Sequence, residues 1–246
     1  MLHVALQMTV AALASSIAGS SPNPTSASRQ IVVVTTPDWT STTGTLRRFE
    51  RLKPSGPWIA VGDPIAVVVG RTGVALGLGF EALDATGPAK HEGDGKAPAG
   101  AFPLDTAFGF APRDSVRNIR LPYAQLLPGS DCVDDTTSAH YNTVVDKQHV
   151  SRVDWSSAEH MREISQYEIG VIVGYNAARP TRGRGSCIFL HIWNGPSSYT
   201  AGCTAFDVNA LRRIVEWLDP KRSPMLVQFP QQLYGKVSKQ WKLPAV

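Results

Sequence analysis

The chain has 246 residues, 43% of them hydrophobic and 18% charged, and carries a net charge of +4. That length and composition exclude global disorder and supply enough apolar residues for one large domain or two small ones. The positive excess is too slight and too evenly spread to indicate a nucleic-acid binder, its densest points being Arg47-Arg48 and the stretch from Arg179 to Arg184; it suits a polyanionic surface such as a cell wall.

The N-terminus runs apolar from Val4 to Ala14 and then turns small, Ala14-Ser15-Ser16-Ile17-Ala18-Gly19. This is the pattern of a secretory apolar region followed by a cleavage site, although no Lys or Arg precedes it. The run is too short for an ordinary membrane anchor, and no later stretch resembles one. Residues 1–28 are therefore read as signal peptide and linker, with "SSPNPTSAS" flexible by composition. Residues 29–246 are read as one exported domain, secreted or in the cell envelope, with no stable membrane insertion and no nucleic-acid partner.

Short β-branched runs follow: "IVVVTT" from Ile31, "WIAVG" from Trp58 and "IAVVVG" from Ile65, punctuated by glycines and prolines. "TLRRFERLK" between them reads as a further strand with exposed arginines, and "ALGLGF" near residue 78 as a segment of close backbone approach. The middle of the chain reads as loop. "EGDGKAPAGAFPL" (92–104) is rich in Gly and Pro, and "LPGSDCVDDTTSAHYNTVVD" (127–146) is polar and turn-prone. "SAEHMREISQY" (157–167) is expected to form a short helix capped by Ser157, and "YEIGVIVGYN" and "SCIFLHIW" to form two central strands. In "DVNALRRIVEWL", Leu211, Ile214, Val215 and Leu218 share one helical face, with Asp207 as cap and Asp219-Pro220 as stop. "MLVQFP" reads as a closing strand. The whole is a mainly β domain with a few short helices.

The three cysteines are Cys132, Cys187 and Cys203. A Cys132–Cys187 bridge would leave Cys203 free; a buried free thiol at Cys187 is the favoured alternative. Cys203 follows Gly202, whose missing side chain lets the backbone turn and leaves room for a ligand. The N–H groups of Gly202 and Cys203 are placed to meet a developing oxyanion, and the helix beginning at Asp207 is expected to favour thiolate through its dipole. His191, in "FLHIW", is the best candidate to take the thiol proton and return it to a leaving amine. Taken singly, a structural histidine and a small buried cysteine are the commoner roles. The other histidines lack zinc-type spacing, so no metal and no cofactor is expected.

Two stretches carry a resemblance. "FLHIWNGPSSYTAGCTAFD" (189–207) is similar to the signature of the L,D-transpeptidase catalytic-domain family of bacterial cell-wall enzymes, with His191, Thr200, Gly202 and Cys203 in matching places. "EGDGKAPAGAFPL" resembles that family's upstream glycine-rich stretch through Gly93, Asp94, Gly95, Lys96, Pro98, Gly100 and Phe102. "DDTTSAHYN" and "GYNAARP" are similar to segments of a stand-alone branch. The family commonly has Arg two positions after the cysteine, where this chain has Ala205; Arg179, Arg182 or Arg184 would have to supply that cation. Ala97 stands where Thr is more usual.

The resemblance implies an L,D-transpeptidase-like β-sandwich and acyl transfer between peptidoglycan stem peptides, one as donor and one as acceptor. In that reading Cys203 is the nucleophile, His191 the base and acid, and Gly202 part of the oxyanion hole. Thr200, Asn194, Ala201, Thr204 and Tyr175 would line the pocket or orient His191, with Tyr141 a further aromatic neighbour. Two alternatives are a cysteine hydrolase of the L,D-carboxypeptidase kind and a non-catalytic wall-binding module.

Overall fold

The structure is a computed structural model that describes residues 23–84 and 86–246. The signal-peptide reading falls on residues 1–22, outside the described residues. In chain order the strands are β1 (Gln30–Thr36), β2 (Thr43–Glu50), β3 (Ile59–Val68), β4 (Val74–Leu76), β5 (Ala97–Pro103), β6 (Thr106–Gly109), β7 (Tyr123–Gln125), β8 (Ser130–Val133), β9 (Val144–Asp146), β10 (Ala158–His160), β11 (Ile169–Ile172), β12 (Phe189–Ile192), β13 (Thr204–Phe206) and β14 (Met225–Pro230). The helices are α1 (Val208–Trp217) and α2 (Gln231–Trp241). The fold is mainly β, as the sequence predicts.

Eleven strands form one sheet in the order β4-β5-β14-β1-β2-β3-β13-β12-β11-β6-β7, and β10-β8-β9 form a second. At the middle of the large sheet β3 and β13 share the single pair Ala205↔Val68, continued by the bridge Gly70↔Thr200. Every residue of β1 is buried. Val32 and Val34 enter a core shared with Val171, Leu190 and the apolar face of α1, whereas Ile31 and Val33 pack with α2 through Leu233, Val237 and Trp241. Burial on both faces is why "IVVVTT" reads as a continuous apolar run instead of alternating.

Several expectations need correction. The strands expected at Trp58 and Ile65 are one strand, β3. Gly62-Asp63-Pro64 bulge out between the Val61↔Arg48 and Ile65↔Leu46 pairs, on an edge where Pro64 leaves no ladder donor missing. The glycine-rich loop contains β5, buried between β4 and β14. Its small residues answer to packing: a Cβ on Gly100 would lie 2.5 Å from the Phe102 ring and 2.6 Å from Phe80. The helix expected over 157–167 is β10 followed by 3-10 turns at Met161–Glu163 and Ser165–Tyr167. Ser157 donates to Asp134 instead of capping a helix. Helix α1 does begin where expected, Asp207 Oδ1 accepting from Asn209 N at 2.9 Å and Ala210 N at 3.1 Å.

The described part of the expected linker, residues 23–28, is not loose. The Arg51 guanidinium is buried beneath it and donates to Ser28 O at 2.7 Å and Thr25 O at 2.7 Å. The favoured reading of Cys187 is also overturned: Cys132 and Cys187 form a disulfide. Their separation of 55 residues hid a pairing that depends on β8 lying against the approach to β12. No helix among the described residues is long and apolar enough to cross a membrane.

Candidate active site

Strands β12 and β13 run parallel, with Leu190 opposite Thr204 and His191 opposite Ala205. One step back, Cys203 lies beside Phe189, whose N–H reaches the Cys203 Sγ at 3.3 Å. Side chains alternate along a strand, so Leu190 enters the main core while Phe189 and His191 take the other face. Cys203 shares that face. His191 and Cys203 are thus diagonal neighbours on adjacent strands, a relationship that spans about 7–8 Å and is within reach of a long side chain. Tyr167, ending the turn before β11, packs its ring edge-on against both Phe189 and His191, with centroids at 5.4 and 5.2 Å.

The His191 Nδ1 is 2.8 Å from Ile192 O. A carbonyl only accepts, so the proton sits on Nδ1 and Nε2 carries the free lone pair. Burial pushes the imidazole pKa down to about 4, against a weaker upward pull from Ile192 O, so the ring is neutral near pH 7. Burial likewise pushes the Cys203 thiol well up, and the Glu159 carboxylate adds to this. The thiol donates to Cys187 O at 3.4 Å and not to the imidazole. The resting pair is therefore thiol and imidazole, not thiolate and imidazolium. β13 separates Cys203 in the chain from α1, and a helix dipole acts mainly within its first turn.

Thr200 organises the loop. Its Oγ1 donates to Cys203 O at 2.7 Å and accepts from Gly202 N at 3.1 Å. The Gly202 amide, expected at an oxyanion hole, is engaged by Thr200. Gly202 serves by close approach. Its φ is +157°, and a Cβ there would stand 3.0 Å from Lys96 O. The two family-like stretches therefore meet in space, the cysteine loop lying against the glycine-rich loop. Asp94 ties that second loop together, Oδ1 accepting from Lys90 Nζ at 2.6 Å and Lys96 N at 2.9 Å, and Oδ2 from His91 N at 2.8 Å.

A cavity of about 240 Å³ opens beside the thiol, with Ala201, Gly202 and Cys203 among its lining. Arg71, Lys90, Glu92, Gly93, Asp134, Glu159, Ser186, Cys187 and Ile188 complete the walls. Asp134 and Glu159 come from the small sheet and the residue beyond β8, held to the rest by the disulfide. His191 is outside this lining, on the same sheet face as the sulfur. Lys90 is buried and paired with Asp94 at 2.6 Å. Glu92 accepts from Tyr141 Oη and, at 2.8 Å, from Ser186 Oγ. Arg71 is exposed, with one long contact to Gly93 O at 3.4 Å, and is the cation best able to meet an incoming anion.

Sequence reasoning missed Arg71, because "GRTG" reads only as a turn, and it missed Glu159, inside a segment expected to be helix. Two of the three arginines expected to supply a cation are occupied elsewhere, and Arg179 is not in the cavity lining. Arg184 pairs with Glu81, and Arg182 donates to Ser138 O at 3.2 Å. Three further candidates do not line the cavity. Thr204 is buried and donates to Gln228 Oε1 at 2.7 Å on the core side. Tyr175 is a core ring, edge-on to Phe102 at 5.3 Å, with its hydroxyl on Arg184 O. Asn194 is exposed and bonds Gln166, so the orienting role expected of it belongs to Ile192 O.

Comparison with protein-family models, with curated proteins and with solved structures finds no match.

Proposed function

We propose that the protein is a cysteine acyltransferase of the L,D-transpeptidase kind, acting on peptidoglycan stem peptides in the cell envelope. One observation carries this reading. The single thiol outside the disulfide lines a polar cavity and shares a sheet face with a neutral histidine whose base nitrogen is left free by a backbone carbonyl. A buried structural cysteine has no use for such surroundings, which argues against a purely binding module.

In the reaction, Cys203 Sγ attacks the donor amide carbon as its proton passes to His191 Nε2. The oxyanion is met by the Cys203 N–H. Collapse breaks the C–N bond, and the departing amine takes the proton from Nε2, leaving a thioester. An acceptor amine then attacks the thioester and gives its proton to His191. The C–S bond breaks and the sulfur recovers that proton. Arg71 is placed to receive a substrate carboxylate, the role that the cysteine loop lacks an arginine to fill. Because the resting thiol is neutral, the attack needs the base at the moment of bond formation, as in serine acyl transfer.

A carbapenem, a strained amide, tests the chemistry. Mass spectrometry of the wild type should show one covalent adduct, absent from a folded Cys203→Ala variant. Incubation with muropeptides should yield cross-linked dimers; trimmed tripeptides alone would mean that water is the acceptor. Absence of both the adduct and any muropeptide change overturns the proposal.

A further inference from the structure

Tyr167 touches more of the site than its position suggests. Its ring lies edge-on to His191, and its hydroxyl donates to Glu159 Oε2 at 2.5 Å. Tyr167 packs in the same buried cluster as Cys203, and a hydrogen bond from its hydroxyl to the sulfur would favour thiolate. Glu159 and Cys203 line the same cavity. Glu159 is also paired with Cys132 across β10 and β8, so the disulfide to Cys187 anchors the strand pair that holds it.

A phenol has one proton to donate. When Glu159 is ionised, that proton goes to the carboxylate, and the sulfur faces a negative charge and an oxygen lone pair. When Glu159 is protonated, its own O–H donates to the Tyr167 oxygen, and the phenolic proton turns to the sulfur. We propose that Glu159 and Tyr167 are a positioning pair that arms Cys203, the armed state being the one with Glu159 protonated. This rests on Cys203 being the nucleophile. The proton of the thiol still goes to His191; only the hydrogen bonds around the sulfur change.

The groups facing Glu159 set where the change occurs. Desolvation comes first, with Asp134 beyond β8 and Glu92 from the glycine-rich loop adding negative charge, while the Tyr167 hydrogen bond opposes them. Together they raise the carboxyl from 4.5 to about 7. Lys90 and Arg71 line the same cavity as positive charges, and Cys203 is the remaining titratable neighbour.

Alkylation of the full chain by iodoacetamide, disulfide intact, reads the thiol without any acyl substrate, and mass spectrometry counts one site because Cys203 is the only free cysteine. Glu159→Gln keeps a donor for the Tyr167 oxygen and removes the charge. Its rate at pH 8 should exceed that of the wild type by about tenfold, the effect of moving the thiol pKa by one. Its pH profile should lose the flattening near 7 that ionisation of Glu159 imposes on the wild type. In a Glu159→Gln/Tyr167→Phe double variant the gain should shrink to what loss of the Glu159 charge alone gives, and a gain equal to that of Glu159→Gln would overturn the part assigned to Tyr167. Glu159→Gln tracking the wild type within twofold from pH 5 to 9 overturns the proposal and leaves the nucleophile intact. A native Cys203 that alkylates only after denaturation overturns both.

Discussion

The large sheet and the small sheet meet at one cavity and are held together by different physics. The large sheet supplies Cys203 and His191 from strands packed on apolar cores, and its ordering follows from burial of β-branched and aromatic side chains. The small sheet has strands of three or four residues, too short to be stable by themselves. Carboxylates hold its surroundings. Asp131, buried, accepts from His160 at 2.8 Å and Trp155 at 3.0 Å and pairs with Lys147 at 3.2 Å, and these partners keep its pKa low although burial pushes the other way. Asp135 accepts from Ser156 N and Thr137 N, each at 2.8 Å. The disulfide then fastens this polar unit to the sheet that carries the proposed nucleophile. The difference puts the proposed reacting atoms on the rigid platform and the charged wall of the cavity on a unit that depends on one covalent link.

Cutting that link is the strongest way to break the comparison. Closing a loop of 55 residues removes enough chain entropy from the unfolded state to be worth about 4 kcal/mol. A Cys132→Ser/Cys187→Ser variant should lose about that much by denaturant melting. Hydrogen exchange should show β8, β9 and β10 opening first while β1 and α1 keep their protection. Carbapenem acylation should fall more than tenfold, because Cys187 O and Glu159 both lose their anchor. Uniform loss of protection across both sheets would show that they are one cooperative unit and that the division is wrong.

Thr200→Val tests the junction more gently. It deletes the donor to Cys203 O and the acceptor for Gly202 N in a buried loop. Leaving those backbone groups unpaired costs about 1–3 kcal/mol. The released Gly202 amide becomes free to face the cavity, so acylation should fall less than stability would suggest. A stability equal to wild type would mean that water replaces the hydroxyl and that the loop is held from elsewhere.

What the sequence disclosed divides along the same line. β1, β11, β12, β14 and α1 are legible because burial writes itself as apolar runs or as a 3.6-residue period. Cys203, His191 and Gly202 stand out as candidates because a thiol, an imidazole and a glycine lie within one short stretch. The small sheet reads as loop because its order comes from Asp, Ser and Thr side chains bonding to backbone, the same chemistry that makes turns. β5 reads as loop because Gly100 and its alanine neighbours are small for the sake of the aromatic rings above them. Glu159 and Arg71 were invisible for a further reason. They reach the sulfur's cavity through tertiary structure, from positions far from residue 203 in the chain.

Asn194→Ala gives the smallest effect and sharpens the assignment of His191. The turn "NGP" places Asn194 two residues past Ile192, close enough in sequence to suggest that it holds the imidazole. In the fold its side chain points outward to Gln166, and the Ile192 carbonyl takes Nδ1. An exposed amide bond of this kind contributes within about 0.5 kcal/mol. Stability and acylation rate should both stay close to wild type, the rate within twofold, because a backbone acceptor cannot be removed by trimming a neighbouring side chain. A tenfold loss of acylation at unchanged stability would relocate the control. Gln166 directly precedes Tyr167, and the tether from Asn194 would then be what keeps the Tyr167 ring against His191 and its hydroxyl beside the sulfur.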